Sequence, residues 1–318
     1  MALQRYRQSK PKHGGQDWLT LRFWDEEGNK RISASEAAAI YGLHPFLKKD
    51  VYVARMMSDT PPAPLPPNQA MDRGNRLEHV MLNWASDLTG VPYTEPKEMF
   101  FCDSPNGARL VATLDGFYED GDTRKILEIK TSTRKWEGKL PDYWRIQGIQ
   151  QAICADVNLV TWAVFDASMN LHLHEQIVTP AEQAEHISSC ETFLNAIELG
   201  IVPSGVRWSY EAVQSRHSNP ISKIQELDSE KQELFDRLRH VRSEMESYKA
   251  LEDEIKAQIC ELIGECDTAV INGSTVATWK PQVRETLDAK ALRAAHPDIA
   301  SKFTKQTTTR VFLLKGEK

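Results

Sequence analysis

The chain has 318 residues, enough for one large domain or two modest ones, and 41 % of them are hydrophobic, which supplies a substantial core. Charged residues make up 26 % and the net charge is -6, so bulk charge does not advertise a nucleic-acid surface, and any basic groove has to be local. No apolar run approaches the ~20 residues that span a bilayer, the basic N-terminus lacks the apolar segment of a secretory leader, and five scattered cysteines without a CxxC pair argue against a disulfide framework, a zinc site or an iron–sulfur cluster; a reducing, cytoplasmic compartment is expected.

In chain order, residues 1–15 read as flexible, polar and basic, ending in Gly14-Gly15. A helix is expected from Ser33 or Ser35, whose hydroxyl caps the AAAIYG run, with Gly42 as its stop. Pro61 to Pro67 form a stiff loop. The spacing of Leu77, Val80, Met81, Trp84 and Leu88 predicts a helix from Met71 to Leu88, stopped by Gly90 and Pro92. Phe100–Phe101, Ala108–Leu114 and Ile126–Ile129, separated by Asn106-Gly107 and Asp120-Gly121-Asp122, predict a three-stranded meander. Residues 142–155 read as a helix, Leu159–Phe165 and Leu171–Val178 as strands, and Ala181–Leu199 as a helix closed by Gly200. A boundary follows near 203–220, giving domains 1–205 and 206–318. From Ile221 to Ile263 there is neither Pro nor Gly, and apolar residues recur every three or four positions: one long helix or two packed together. A hairpin at Asn272-Gly273, a helix at Leu287–Ala295 and a strand at Thr309–Leu314 complete the chain.

The chemistry concentrates in VATLDGFYEDGDTRKILEIKTS. Alternate side chains of a strand share a face, so Glu128 and Lys130 point the same way, and a hairpin brings Asp115 beside Glu128. Two carboxylates and the Ile129 carbonyl offer hard oxygen donors for Mg²⁺ or Mn²⁺. Such an ion polarises a phosphodiester and lowers the pKa of a water, with Lys130 adding positive charge at the attacking water or phosphate. The competing reading is a turn at Asp115-Gly116 and an ordinary exposed strand. Two helical features add weight. Glu78 borders the apolar side of its helix, and Gln147 and Gln151 lie four apart on one face of theirs, although in isolation each reads better as part of a solvated polar face.

The order Asp, twelve residues, Glu-x-Lys, preceded by a helical Glu and followed by a helical Gln, resembles the PD-(D/E)xK nuclease superfamily. More narrowly, it resembles the lambda-exonuclease, or YqaJ-like viral recombinase, family; WLTLR at Trp18–Arg22 and RISASEAAAIYG at Arg31–Gly42 match that family's opening segments. The resemblance implies a restriction-endonuclease-like α/β fold, a mixed central sheet flanked by helices, and here a C-terminal extension with a long helix and a small β element. It implies a Mg²⁺-dependent 5′→3′ exonuclease that leaves 3′ overhangs on duplex DNA. Asp115 and Glu128 match the metal-binding carboxylates, Lys130 the catalytic lysine, Glu78 the upstream carboxylate and Gln147 the helical glutamine. Arg22 and Ser35 match residues that receive a 5′-terminal phosphate, Thr113 stands where the family has serine, and Arg134 or Lys135 supplies the nearby base. On residue type alone, Arg22 and Ser35 read equally well as a surface arginine and a helix cap. Leu114 stands where the superfamily's name has proline. Rings of three subunits around DNA and a single-strand annealing partner are also implied. A structure- or site-specific endonuclease on the same scaffold and a non-catalytic DNA-end-binding module are the competing functions. The extension's apolar stripe reads as core or as an oligomer contact.

Overall fold

The computed structural model describes residues 2–59, 68–217, 223–304 and 310–315, which fall into two compact units, Met1–Ser218 and Asn219–Lys318. In chain order the first unit contains β1 (Gln4–Ser9), α1 (Gln16–Phe23), β2 (Ile32–Ser33), α2 (Lys49–Met56), α3 (Gln69–Thr89), β3 (Glu98–Asp103), β4 (Arg109–Ala112), β5 (Gly116–Asp120), β6 (Thr123–Thr131), α4 (Asp142–Ala155), β7 (Leu159–Phe165), β8 (Leu171–Ile177), α5 (Pro180–Glu198) and α6 (Tyr210–Arg216). The second contains α7 (Gln232–Ile263), β9 (Thr268–Ile271), β10 (Ser274–Thr278), α8 (Ala289–Ala295) and α9 (Pro297–Lys302). The mixed α/β class is as the sequence implies.

Two four-stranded sheets organise the first unit, in orders β1-β3-β4-β2 and β5-β6-β7-β8. In each, one parallel pair sits among antiparallel ones: β2 with β4, and β6 with β7. The second sheet buries Leu127 and Ile129 against Met81, Leu82 and Ala85 of α3. Strand alternation sends Glu128 and Lys130 to the opposite face, where α4 lies. Helix α4 packs on both sheets at once, which explains why its Gln147, Gln150 and Gln151 are buried with its apolar residues. The Asn68 carboxamide caps α3, and Thr179 with Glu182 form a capping box on α5.

The N-terminal segment expected to be flexible is strand β1. Its polar side chains pack through their flat or aliphatic parts: Tyr6 stacks on Phe101 at 5.0 Å, and the Arg7 guanidinium lies 4.9 Å from both Phe100 and Phe117 while pairing with Glu119. Ser33 and Ser35 do not cap a helix. The AAAIY run is a short 3₁₀ turn after Glu36, closed as expected by Gly42 at φ 73°. The three-stranded meander is instead four strands shared between two sheets. After Ala112 the chain leaves the first sheet, and Gly116 begins the second. The long helix is single but starts at Gln232, since 223–228 are not helical, and at ~1.5 Å per residue its 32 residues run about 48 Å. The Asn272-Gly273 hairpin is present, with both residues at positive φ (50° and 80°) as a two-residue turn demands. Residues 310–314 form no strand, and α9 was not expected. Thr309, Ile221 and the Pro61–Pro67 loop lie outside the described residues.

Candidate active site

The β5–β6 hairpin sets the site. Its register places Gly116 opposite Leu127, which puts Asp115, one residue earlier, level with Glu128. Phe117 turns its backbone N–H and C=O away from β6 to Thr94, so Gly116 and Tyr118 face β6, and Leu127 and Ile129 face back. Ile129 is therefore the first inner-edge residue of β6 without a β5 partner. The Asp115 carboxylate takes that place, accepting the Ile129 N–H at 2.8 Å. The Ile129 carbonyl opens on the same edge, as it does for any strand residue.

Glu128 is buried, 3 % exposed, and each of its oxygens is held. Oε1 accepts from Lys130 Nζ at 2.5 Å and Gln147 Nε2 at 2.6 Å; Oε2 accepts from Gln151 Nε2 at 2.5 Å. Gln151 also donates to the Thr113 carbonyl at 3.2 Å, tying Glu128 to the turn that carries Asp115. Burial pushes the Asp115 carboxyl well above the usual carboxylate range, and the Glu128 charge adds to this. Burial works against the Lys130 ammonium, but the Glu128 and Asp115 carboxylates prevail and raise its pKa. Glu78 borders the same field from α3, its carboxyl raised by burial, then by Glu95 and Glu128. Two mutually repelling acids beside a carbonyl oxygen are a donor set that suits a hard divalent cation. Among the described residues, no cluster of three or more His, Cys, Asp or Glu side chains is gathered closely enough to hold a metal by itself.

A second polar cluster surrounds Arg22. Its Nη2 donates to Ser33 Oγ at 2.7 Å and Ser35 Oγ at 2.5 Å, and its guanidinium lies 4.1 Å from the Trp18 ring centroid. Burial lowers its pKa, and the nearby Glu36 opposes that effect. Glu36 itself is engaged with Arg55 at 2.5 Å. The result is a guanidinium held by two hydroxyls and an indole rather than by a carboxylate, an arrangement suited to an anion.

Helix α4 links the clusters. Gln150 Nε2 donates to the carbonyls of Ile32 at 2.7 Å and Val111 at 3.0 Å, bridging β2, which leads to the arginine cluster, and β4, which leads to Asp115. Its Oε1 meets His186 Nε2 at 3.1 Å, and His186 Nδ1 meets the Tyr41 hydroxyl at 2.9 Å. Because the Gln150 amide hydrogens go to carbonyls, Nε2 of His186 is the donor and Nδ1 accepts from Tyr41.

The structure thus brings Asp115, Glu128, Lys130, Gln147 and the charge of Glu78 together, and pairs Arg22 with Ser35. Thr113 joins the first cluster through its carbonyl rather than its hydroxyl. Arg134 and Lys135 lie exposed on the loop after β6, and neither bonds to Arg22 or Ser35. Gln150, Ser33 and Trp18 take parts that were not assigned to them. The signals were present: Ser33 and Ser35 alternate, and Trp18 and Arg22 lie four apart on a helix.

Fold and site together define an α/β protein with a buried carboxylate–lysine centre at the open end of a hairpin. Residues 17–158 match the YqaJ-like viral recombinase domain. Every candidate residue falls inside the matched segment. No curated protein matches the sequence. Structural comparison finds an alkaline exonuclease (LHK-Exo) from Laribacter hongkongensis, with 22 % identity over 58 % of this chain and 94 % of that one, at a TM-score of 0.45. A phage-related exonuclease from Haemophilus somnus 129PT is 11 % identical over 54 % and 96 %, at a TM-score of 0.39.

Proposed function

We propose that the protein is a Mg²⁺-dependent exonuclease that degrades linear double-stranded DNA in the 5′→3′ direction and leaves 3′ overhangs for recombination by strand annealing. The observation that carries this reading is the convergence of Asp115, Glu128 and Lys130 at the open end of the β5–β6 hairpin. The family of residues 17–158 supports it.

Asp115, Glu128 and the Ile129 carbonyl would hold Mg²⁺, or Mn²⁺ in its place. When bound, the ion supplies Lewis-acid polarisation of the phosphodiester and acidifies a water. The chain's own residues do the rest. Lys130, charged and fixed by Glu128, orients the attacking water and offsets negative charge growing on the phosphate. Gln147 and Gln151 hold the Glu128 carboxylate in one orientation, and Glu78 tunes the field. The Arg22–Ser33–Ser35 cluster receives a 5′-terminal phosphate through charge-assisted bonds, and Thr113 with Arg134 or Lys135 would complete that pocket. DNA ends are the substrate, a single-strand annealing protein the partner, the cytoplasm the compartment, and a trimeric ring around DNA the working assembly.

The test is digestion of linear duplex with 5′-phosphate or 5′-hydroxyl ends, and of a closed circle, in Mg²⁺ or in chelator. The expected result is a 3′ overhang from 5′-phosphorylated ends only with the metal, an intact circle, and a loss of at least about 100-fold in Lys130→Ala. Digestion of the circle would overturn the exonuclease assignment, and an unchanged rate in Lys130→Ala would overturn the site.

A further inference from the structure

Asp166 is a buried carboxylate, 2 % exposed, that the proposed chemistry does not use. Its two oxygens have different partners. Oδ1 accepts the Ser168 N–H at 2.9 Å and the Asn170 N–H at 3.4 Å, the usual way an aspartate closes its own turn, here the one joining β7 to β8. Oδ2 reaches outside that turn. It accepts the N–H of Trp136, 30 residues back, at 2.8 Å, with the Ser168 hydroxyl at 3.3 Å and His172 Nε2 at 3.2 Å beside it. The Trp136 N–H leads the donors that bring the carboxyl from 3.8 down to about 2, against the effect of burial.

The bond to Trp136 closes one end of a short loop. At the other end the Ser132 N–H donates to the Phe165 carbonyl at 2.8 Å, so two consecutive residues, Phe165 and Asp166, fix the chain at Ser132 and at Trp136. Between them the Ser132 hydroxyl donates to the Arg134 carbonyl at 2.9 Å and accepts the Arg134 N–H at 3.1 Å, and the Ala167 N–H donates to that carbonyl at 3.4 Å. The Trp136 ring stacks on Trp144 of α4 at 6.1 Å, with 19° between the planes. The side chains held between these ties, Arg134 and Lys135, are exposed, and among the described residues neither pairs with a carboxylate. Oδ1 alone closes the β7–β8 turn, so what Oδ2 adds is the placement of these two cations. Arg134 follows Lys130 by four residues, which keeps its Cα within about 14 Å of the Lys130 Cα. Its guanidinium can therefore meet a phosphate neighbouring the one that Lys130 serves. A cation already standing there loses less freedom when DNA binds than one on a loose loop, which favours binding without entering the chemical step.

We infer that Asp166 is a positioning residue for substrate binding: it holds the Ser132–Trp136 loop in the conformation that presents Arg134 and Lys135 to a phosphate of the DNA. This rests on the nuclease reading.

The test is steady-state digestion of 5′-phosphorylated linear duplex by the full-length protein in Mg²⁺ at several salt concentrations, with folding checked by circular dichroism and thermal unfolding. Asp166→Asn keeps an oxygen for Ser168 and Asn170 but sets an amide NH₂ against the Trp136 N–H. It is expected to raise KM about tenfold, to leave kcat within about twofold, and to lower the slope of log KM against log salt by about 1. The double variant Arg134→Ala, Lys135→Ala is expected to raise KM and lower the slope in the same way, and adding Asp166→Asn to it to raise KM no further, since residues acting through one contact are not additive. Ser132→Ala cuts the loop's own ties without touching Asp166. It is expected to move KM and the slope in the same direction, and it decides the matter should Asp166→Asn not fold. Unchanged KM and slope in the folded variant, a loss confined to kcat, or an Asp166→Asn effect that persists in full without Arg134 and Lys135 would each overturn the inference while wild type still digests DNA. A wild type that digests no DNA fails the nuclease reading itself, and the inference with it.

Discussion

Gly148 sits between Gln147 and Gln151 where α4 crosses the second sheet. A Cβ built there lies 2.4 Å from Gln176 Oε1 and 2.9 Å from a Trp162 ring carbon. Carbon atoms rest at ~3.5–4.0 Å, so Gly148→Ala forces α4 off the Trp162 ring by about 0.6 Å or more. Gln176 has little freedom to yield: its Oε1 accepts the buried Trp162 indole N–H at 3.0 Å and its Nε2 donates to the Arg145 carbonyl at 2.9 Å. Overpacking costs about 1–3 kcal/mol, offset by the roughly 1 kcal/mol gain of replacing glycine inside a helix. The net loss of stability is therefore small, about 0–2 kcal/mol on the same terms. The activity loss is larger, because the displaced helix carries both glutamines that hold Glu128, and a misplacement of about 1 Å costs on the order of 100-fold in rate. Gly74, inside α3, has nothing within 4 Å of its added Cβ. Gly74→Ala is the control and gains about 0.5–1 kcal/mol. Thermal unfolding and kcat on linear duplex are measured for both variants. A Gly148→Ala protein as fast and as stable as wild type would refute the claim that helix-to-sheet distance sets the Glu128 geometry.

Gln151→Leu keeps the volume but leaves Glu128 Oε2 and the Thr113 carbonyl without this donor. It is expected to lower stability by about 1–3 kcal/mol and to lower kcat, not affinity for DNA; unchanged kcat and melting temperature would contradict the clamp. His186 is buried, and burial lowers its pKa from 6.5 to about 4. Its folded pKa is depressed and the imidazole is held neutral, so the unfolded chain binds the proton first: stability is full above pH 6.5 and falls as pH drops toward 4, by about 3 kcal/mol. Urea titrations between those pH values should show this slope in wild type and a shallower one in His186→Gln; identical slopes would remove the assignment.

The chemical centre was legible because its parts are local in sequence. Strand parity alone places Glu128 and Lys130 together, and the turn at Gly121 folds Asp115 back to them. Helices with clean periodicity, α3 through α5, were legible for the same reason. What the sequence concealed depends on contacts far along the chain. β1 has no apolar alternation of its own, and becomes a strand because Tyr6 and Arg7 find aromatic rings about a hundred residues away. The division of the meander between two sheets is set by which strand each edge meets, not by the turn residues. Gln150 looked like any helix glutamine, since its acceptors are main-chain carbonyls, which carry no sequence signature.

Those carbonyl acceptors also explain how the two clusters keep their spacing. Gln150 grips β2 and β4 by backbone atoms, while Gln147 and Gln151, on the same helix, grip Glu128. His186 and Tyr41 lock the amide of Gln150 in the one orientation that serves both carbonyls. A shift of α4 therefore moves the tie to the arginine cluster and the carboxylate centre together, and neither can drift alone. Under the exonuclease reading, the distance between the bound terminal phosphate and the hydrolysed phosphodiester sets the length of the product. A single buried helix with three glutamines on adjoining faces keeps that distance constant from one cut to the next, whatever the DNA sequence, because every atom it grips belongs to the protein.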